Sequence, residues 1–194
     1  MAMIIVTGAT GFIGSAIVWQ LNELGHKDII VCDTVREASR PGILKKRQFE
    51  NFLSKDELLK FLEEDQPKNV DWIIHMGACS STTEMDVDFL KENNTDYTQR
   101  LFEWCRDHSA KFIYASSGAV YGDGAHGFDD QLNPGDLKPL NPYGDSKLNF
   151  DKWVLQQSSF PELWMGLRFF NVYGPNEYFK KDMSSVVFKA YRQI

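Results

Sequence analysis

Short apolar segments alternate with longer helical patterns along this sequence, and this alternation constrains the fold more than any other feature. Ile29–Cys32 and Trp72–His75 are apolar at successive positions, which is typical of parallel strands that helices cover on both faces. Similar runs are Met3–Val6, Phe112–Ala115 and Met165–Phe169, with a weaker one at Gln48–Phe52. The helical patterns are Phe12–Leu24, Leu58–Leu62, Phe89–Trp104, Leu148–Leu155 and Ser184–Arg192. The sequence therefore predicts an α/β fold with a doubly wound parallel sheet.

Composition and charge argue against several function classes. The 194 residues are 43% hydrophobic, which is enough for one sizeable core. The net charge is −6 and no basic cluster is denser than Lys45–Arg47, so we expect no nucleic-acid partner, since phosphate contacts need concentrated positive charge. The apolar run Met3–Val6 is too short for a signal peptide or a membrane span. We expect a cytoplasmic protein without a membrane partner.

The cysteines and histidines do not form a metal-binding pattern. Cys32, Cys79 and Cys105 are an odd number without the CxxC spacing, and the four histidines contain no HxH or HxxxH pair. We therefore expect neither a disulfide framework nor a metal site. The cysteines are interpreted as reduced thiols of the core or of a pocket.

A glycine-rich turn follows the first predicted strand and opens the first predicted helix. Gly8 permits the tight turn, Gly11 lets the backbone approach a pyrophosphate, and Gly14 allows the helix to pack closely on the strand. The N-terminus of that helix supplies N–H donors and the positive end of its dipole to phosphate groups. This turn predicts a Rossmann domain that binds a dinucleotide.

The identity of the dinucleotide stays open on the sequence alone. Asp33 ends the second strand, about 20 residues after the turn, where a carboxylate accepts a hydrogen bond from the adenine ribose and favours NAD. Arg36 and Arg40 follow closely, and as partners of a 2′-phosphate they favour NADP. As solvated surface charges they favour neither coenzyme.

Two long irregular stretches, residues 116–142 and 171–182, follow predicted strands and mark where the chemistry is expected. Tyr143 and Lys147 lie four residues apart at the start of a helix, so they share one face of it. A nearby ammonium lowers the pKa of a phenol, which then takes a proton from an alcohol at neutral pH. Ser117 follows the fifth strand and offers a hydroxyl to a substrate oxygen. These residues predict a dehydrogenase-type acid/base site.

Three motifs together resemble the extended short-chain dehydrogenase/reductase superfamily. They are Thr7–Gly14, Ser117–Gly122 and Tyr143–Lys147. The segments His75–Asp86 and Phe170–Pro175, followed by Lys180, are more specifically similar to the ADP-L-glycero-D-manno-heptose 6-epimerases of that superfamily. Within the first segment, residues 77–84 are the most specific signal. The resemblance covers essentially the whole chain.

The resemblance implies that the configuration at C6″ of an ADP-heptose is exchanged by transient oxidation and re-reduction with bound NADP. Such a product serves the synthesis of the lipopolysaccharide inner core. Two acid/base groups are needed, one for each face of the sugar, and the family's pair falls on Tyr143 and Lys180. The family often has His-Lys-Gly in the second loop, whereas this chain has Phe179, Lys180, Lys181 and Asp182.

The resemblance also implies binding contacts. For the coenzyme they are Phe12, Ile13, Asp33, Thr34, Arg40, Lys55, Met76, Gly77, Ala78, Cys79, Ser80, Asn93, Lys147 and Val172, in addition to the glycine turn. For the substrate they are Ser117, Asn171, Asp182 and Lys189. NADP is the coenzyme implied, with NAD as the alternative.

Relatives of this kind are longer than 300 residues, so the expected domains are an NAD(P)-binding domain over residues 1–170 and the truncated start of a substrate-binding region over 171–194. A homo-oligomer is also expected by resemblance. Two alternatives remain at this point. One is another sugar-nucleotide epimerase or dehydratase, such as a UDP-sugar 4-epimerase, and the other is an inactive dinucleotide-binding fragment.

Overall fold

The computed structural model describes residues 2–34, 42–180 and 184–194. Its six strands are β1 (Met3–Thr7), β2 (Ile29–Cys32), β3 (Asn51–Leu53), β4 (Val70–His75), β5 (Lys111–Ser117) and β6 (Trp164–Phe169). They form one sheet in the order β3-β2-β1-β4-β5-β6, and every neighbouring pair is parallel. The predicted doubly wound parallel sheet is confirmed. The weak strand predicted at Gln48–Phe52 is realised as β3 at the edge of the sheet.

Within the described ranges, six α-helices connect and cover the strands. They are α1 (Phe12–Glu23), α2 (Lys55–Lys60), α3 (Val87–Leu90), α4 (Tyr97–Asp107), α5 (Pro142–Val154) and α6 (Val186–Tyr191). A π-helical segment, Lys91–Asp96, joins α3 to α4, so the helix predicted at Phe89–Trp104 is one continuous element with a wider middle turn. Asn141 caps α5 by accepting a hydrogen bond from the Gly144 N–H at 2.8 Å, and Pro142 occupies the first turn.

The core has two layers, one on each face of the sheet. Ile5 of β1 points into the layer shared with α2, α4 and α5, where Phe102 and Phe112 are fully buried. Its neighbours Ile4 and Val6 point into the layer under α1. Because both faces are covered, strand residues are apolar at consecutive positions, as the sequence indicated.

The strand order reverses between β1 and β4, which are neighbours although β2 and β3 separate them in the sequence. In doubly wound sheets, ligands bind at the carboxyl ends of the strands beside such a reversal. The loops after β1 and β4 meet there. Among the described helices, none has the length and hydropathy needed to cross a lipid bilayer.

Candidate active site

The glycine turn after β1 is fixed by close backbone packing. Gly8 has a φ of +64°, and a Cβ built on it would lie 2.6 Å from both the Gly77 nitrogen and the Met76 oxygen. A Cβ on Gly14 would lie 2.1 Å from the Gly8 oxygen. Such distances exclude any side chain, so these glycines allow α1 and the loop after β4 to approach the turn. The turn and that loop therefore form one cradle.

A cavity of about 510 Å³ opens in front of this cradle. Gly11 is the N-cap of α1 and, as a glycine, has no side chain that could accept hydrogen bonds from the N–H groups of the first turn. The predicted residues that line the cavity are Gly8, Gly11, Phe12, Ile13, Gly14, Asp33, Thr34, Lys55, Met76, Gly77, Ala78, Cys79, Ser80, Asn93 and Lys180. N–H groups that the N-cap residue does not cap, together with a glycine cradle, fit a pyrophosphate.

Asp33 contributes to the cavity and also holds the glycine turn. Its Oδ2 accepts hydrogen bonds from the Thr10 N–H at 2.9 Å and from the Thr10 hydroxyl at 2.7 Å. The carboxylate thus ties the end of β2 to the turn after β1. Thr10 was not predicted from the sequence, although its position inside the turn was a usable signal.

Lys55 reaches the cavity from the start of α2. Its Nζ lies 3.4 Å from Asn93 Oδ1, 3.6 Å from Glu92 Oε1 and 5.2 Å from the centroid of the Tyr97 ring. Its side chain is 23% exposed, so the ammonium is partly screened by water. The structure thus brings the two predicted residues Lys55 and Asn93 together at one end of the cavity.

Asn94, which the sequence analysis missed, joins the loop after β4 to α5. Its Oδ1 accepts from the Cys79 N–H at 2.8 Å, and its Nδ2 donates to the Cys79 oxygen at 3.1 Å and to Ser146 Oγ at 3.0 Å. Asn94 is fully buried, so these bonds are protected from competing water. The position of the loop after β4 is therefore set by the helix that bears Tyr143 and Lys147.

A chain of hydrogen bonds through His75 supports the same loop from below. The Gly77 N–H donates to Thr7 Oγ1 at 3.0 Å, and His75 bridges Thr7 and Thr98 at 2.6 and 3.0 Å. The Thr98 hydroxyl donates to the backbone oxygen of Asn94, so it must accept a hydrogen bond from His75 Nε2. The other ring nitrogen, Nδ1, then accepts from the Thr7 hydroxyl. Burial, together with the charge of Lys147, lowers the pKa of His75 to about 3. His75 is a neutral structural residue.

Tyr143, Ser117 and Lys147 come together where β5 ends and α5 begins. Cys79 of the loop after β4 acts electrostatically on both Tyr143 and Lys147. Burial raises the pKa of Tyr143, while the nearby Ser117 side chain acts to lower it. The sequence analysis expected Lys147 to lower the pKa of Tyr143, and this expectation is wrong. Burial dominates, and the influence that opposes it comes from Ser117. The phenol is therefore protonated at neutral pH in the chain without ligand.

Lys147 is a buried cation. Burial lowers its pKa to about 8, and the carboxylate of Asp151, one turn further along α5, acts in the opposite direction. An ammonium with such a pKa changes charge in the range in which enzymes work. Together with Tyr143 and Ser117, it forms an arrangement that can move a proton to or from an alcohol oxygen.

This geometry agrees with a family assignment over almost the entire chain. Residues 4–194 match the NAD dependent epimerase/dehydratase family. The chain belongs to this family. The predicted membership of an NAD(P)-dependent epimerase/dehydratase family is thereby confirmed.

The chain is also similar to individual members of the epimerase/dehydratase family. It is 48% identical over 195 residues to the ADP-L-glycero-D-manno-heptose-6-epimerase of Fusobacterium nucleatum, with 98% of this chain and 59% of that protein covered. It is 50% identical over 194 residues to the enzyme of the same name from Nitratidesulfovibrio vulgaris, with 99% and 60% covered. The chain thus spans about 60% of the length of these curated relatives.

Solved structures of epimerase/dehydratase enzymes share the fold. The Helicobacter pylori ADP-L-glycero-D-manno-heptose-6-epimerase superposes with a TM-score of 0.79 at 30% identity, covering 97% of this chain and 60% of that one. The Thermus thermophilus UDP-glucose 4-epimerase, solved in complex with NAD, gives 0.68 at 30% identity, with 90% and 57% covered. The resemblance expected from the motifs is therefore confirmed.

Lys180 lies in the loop that follows β6 in this epimerase/dehydratase chain. Its Nζ is 5.1 Å from the centroid of the Phe12 ring, at the cavity. Glu177, a residue the sequence analysis missed, holds the loop: its carboxylate accepts from the Gly174 N–H at 2.8 Å and from the N–H and hydroxyl of Ser185 at 2.7 and 3.0 Å. These bonds, together with the Lys180 N–H donating to the Glu177 oxygen at 2.9 Å, set the path of the chain before Lys180.

The remaining predicted binding residues do not line the cavity. Asn171 and Lys189 are exposed, Ser117 and Val172 are half-buried and Lys147 is buried, and the described part of the chain brings none of the five to the cavity wall. Arg36, Arg40 and Asp182 lie outside the described residues. Within the described ranges, no group of three or more His, Cys, Asp or Glu side chains is arranged to hold a metal ion.

Proposed function

We propose that this chain is the coenzyme-binding part of an ADP-heptose 6-epimerase that uses NADP in the synthesis of the lipopolysaccharide inner core. The observation that carries the proposal is the grouping of buried Tyr143 and Lys147 with Ser117, beside Cys79 of the wall of the glycine-cradled cavity. Relatives with this activity in their names are up to 50% identical. On this proposal, residues 1–170 bind the coenzyme and residues 171–194 begin the substrate-binding region.

The cavity residues fit a nicotinamide dinucleotide. On this proposal the N–H groups at the start of α1 bind the pyrophosphate, Asp33 and Thr34 contact the adenine ribose, and residues 76–80 contact the middle of the molecule. The second ribose is assigned to Lys147. When bound, the nicotinamide accepts a hydride from the sugar and returns it. NADP is favoured over NAD by Lys55, which adds a cation at the cavity.

The chain's own residues handle the protons at C6″. Ser117 donates a hydrogen bond to the reacting oxygen, and Tyr143 exchanges the proton of that oxygen on one face of the sugar. When the hydride returns to the opposite face of the sugar ketone, the oxygen points away from Tyr143. A second acid/base group must therefore exchange the proton of that oxygen. Lys180 is assigned this role because its ammonium reaches the cavity from a different loop.

The coenzyme assignment is tested by fluorescence titration of this chain with NADPH and NADH. We expect NADPH to bind more tightly, and Lys55→Gln to weaken NADPH binding by about tenfold, since a charged hydrogen bond contributes about 1.5–3 kcal/mol in a partly exposed setting. Binding of NADH should change little. Lys60→Gln, on the exposed end of the same helix, is the matched control. Equal binding of both coenzymes contradicts NADP, and binding of neither contradicts the proposed function.

Lys180→Met is expected to lower epimerisation of ADP-heptose by about 10²–10⁴-fold, measured in a version of the chain as long as its relatives. The reason is loss of the proton carrier for one face, while NADPH binding persists. Lys181→Met, the next lysine in the sequence, is the control and should stay near the starting activity. Near-normal turnover by Lys180→Met would show that the two-base assignment is wrong. Turnover of UDP-glucose in place of ADP-heptose would favour a 4-epimerase.

A further inference from the structure

A buried carboxylate stands behind the proposed site without a role in the chemistry described so far. Asp151 lies one helical turn beyond Lys147 on α5 and is 4% exposed. Burial of an acid is costly unless donors surround it. Asp151 has three: the Tyr114 hydroxyl at 2.9 Å to Oδ1, and the Ser116 hydroxyl at 3.0 Å and Arg168 Nε at 3.2 Å to Oδ2.

These bonds connect the three elements that carry the proposed catalytic groups. Tyr143, Lys147 and Asp151 are spaced by four residues, so they share one face of α5. Ser116 precedes Ser117 at the end of β5, and Arg168 lies near the end of β6, before the loop that bears Lys180. The Asp151 carboxylate therefore fastens α5 to β5 and β6 directly below the site.

The partners also show which form of Asp151 is present. Tyr114, Ser116 and Arg168 all donate, so the carboxyl group serves as an acceptor through both oxygens, as a carboxylate does. Arg168 is itself held from the other side, because its Nη1 donates to the Tyr121 hydroxyl at 3.0 Å and its guanidinium lies 5.0 Å from the centroid of that ring. Both side chains of this pair are nearly enclosed, with 15% of Arg168 and 5% of Asp151 exposed.

We propose that Asp151 is a positioning residue: its carboxylate locks α5 against β5 and β6 and supplies the negative charge that keeps the Lys147 ammonium cationic. Of the other ionisable groups near Lys147, His75 is neutral, and Cys79 of the loop after β4 acts in the same direction as Asp151 but less strongly. The part that concerns catalysis rests on the proposed function, whereas the charge on Lys147 is a property of the chain itself.

The test is a pH titration of the lysine side chains by ¹³C NMR in the chain without coenzyme, with Lys147 assigned from a Lys147→Arg variant. We expect the Lys147 midpoint near pH 8 in the starting chain. In Asp151→Asn it should fall by about one pH unit or more, because loss of a close opposite charge disfavours the ammonium. Asp145→Asn makes the same charge change on the exposed side of α5 and should leave the midpoint in place. An unchanged midpoint in folded Asp151→Asn overturns the inference.

A merely structural role for Asp151 would lower the melting temperature without moving that midpoint. If Asp151→Asn does not fold because Arg168 is left uncompensated, Asp151→Asn/Arg168→Gln removes both charges, and the same downward shift is expected. A titration of the same preparations with NADPH at pH 7 and pH 9 separates this inference from the proposed function. A chain that shows the NMR shift but binds no coenzyme contradicts the proposed function alone, and a chain that binds NADPH with an unmoved Lys147 midpoint contradicts this inference alone.

Discussion

Tyr143→Phe is expected to reduce epimerisation by about 10²–10⁴-fold in a version of the chain as long as its relatives, because the variant has no hydroxyl to exchange a proton with the sugar. The Tyr143 side chain is buried, so removing one oxygen leaves the ring packed in place. NADPH binding and the free energy of unfolding should therefore change little. Turnover of ADP-heptose and a coenzyme titration on the same preparation measure the two effects separately.

Tyr191→Phe is the matched control, since Tyr191 is 76% exposed on α6 and lies outside the proposed site. It should retain the starting turnover. Ser117→Ala should give a smaller loss than Tyr143→Phe, because it removes a hydrogen-bond donor and not the proton carrier. If Tyr143→Phe keeps its activity while Lys180→Met loses it, the proton chemistry depends on one base, and the role given to Tyr143 is wrong.

The fold was predictable because its strands are buried on both faces. Ile29–Cys32 was predicted with its observed bounds, since four successive apolar residues leave few alternatives in a chain with this alternation. Edge strand β3 was only weakly indicated, because its residues are exposed or half-buried. The glycine turn was also readable, since Gly8 has a left-handed φ and Gly14 packs against the Gly8 carbonyl six residues away.

The supporting residues of the site were not predictable in the same way. Asn94 bonds Ser146, which is 52 positions away, and Asp151 bonds Ser116 across 35 positions, so no local pattern marks either pair. The electrostatics of Tyr143 were predicted wrongly for a related reason. Spacing places Lys147 on the same face, but the extent of burial that raises the pKa of Tyr143 depends on the packing of the loop after β4 and of β5.

Gly14→Ala is expected to have the largest effect on both stability and coenzyme binding. The added methyl group would lie 2.1 Å from the Gly8 oxygen and 2.7 Å from the Gly8 carbonyl carbon, both backbone atoms that cannot turn aside. Helix α1 must then move away from the turn after β1. Overpacking of this kind costs about 1–3 kcal/mol or more, which urea unfolding measures as a lower midpoint.

The displacement also moves the N–H groups at the start of α1, which are the proposed pyrophosphate donors, so NADPH affinity should fall at least tenfold even where the variant is folded. Gly25→Ala is the informative comparison. Nothing lies within 4 Å of a methyl group there, but φ is +88°, so the expected cost is only the left-handed strain of about 1–2 kcal/mol, with NADPH affinity unchanged. Gly14→Ala with normal NADPH affinity would show that the pyrophosphate does not bind at the N-terminus of α1.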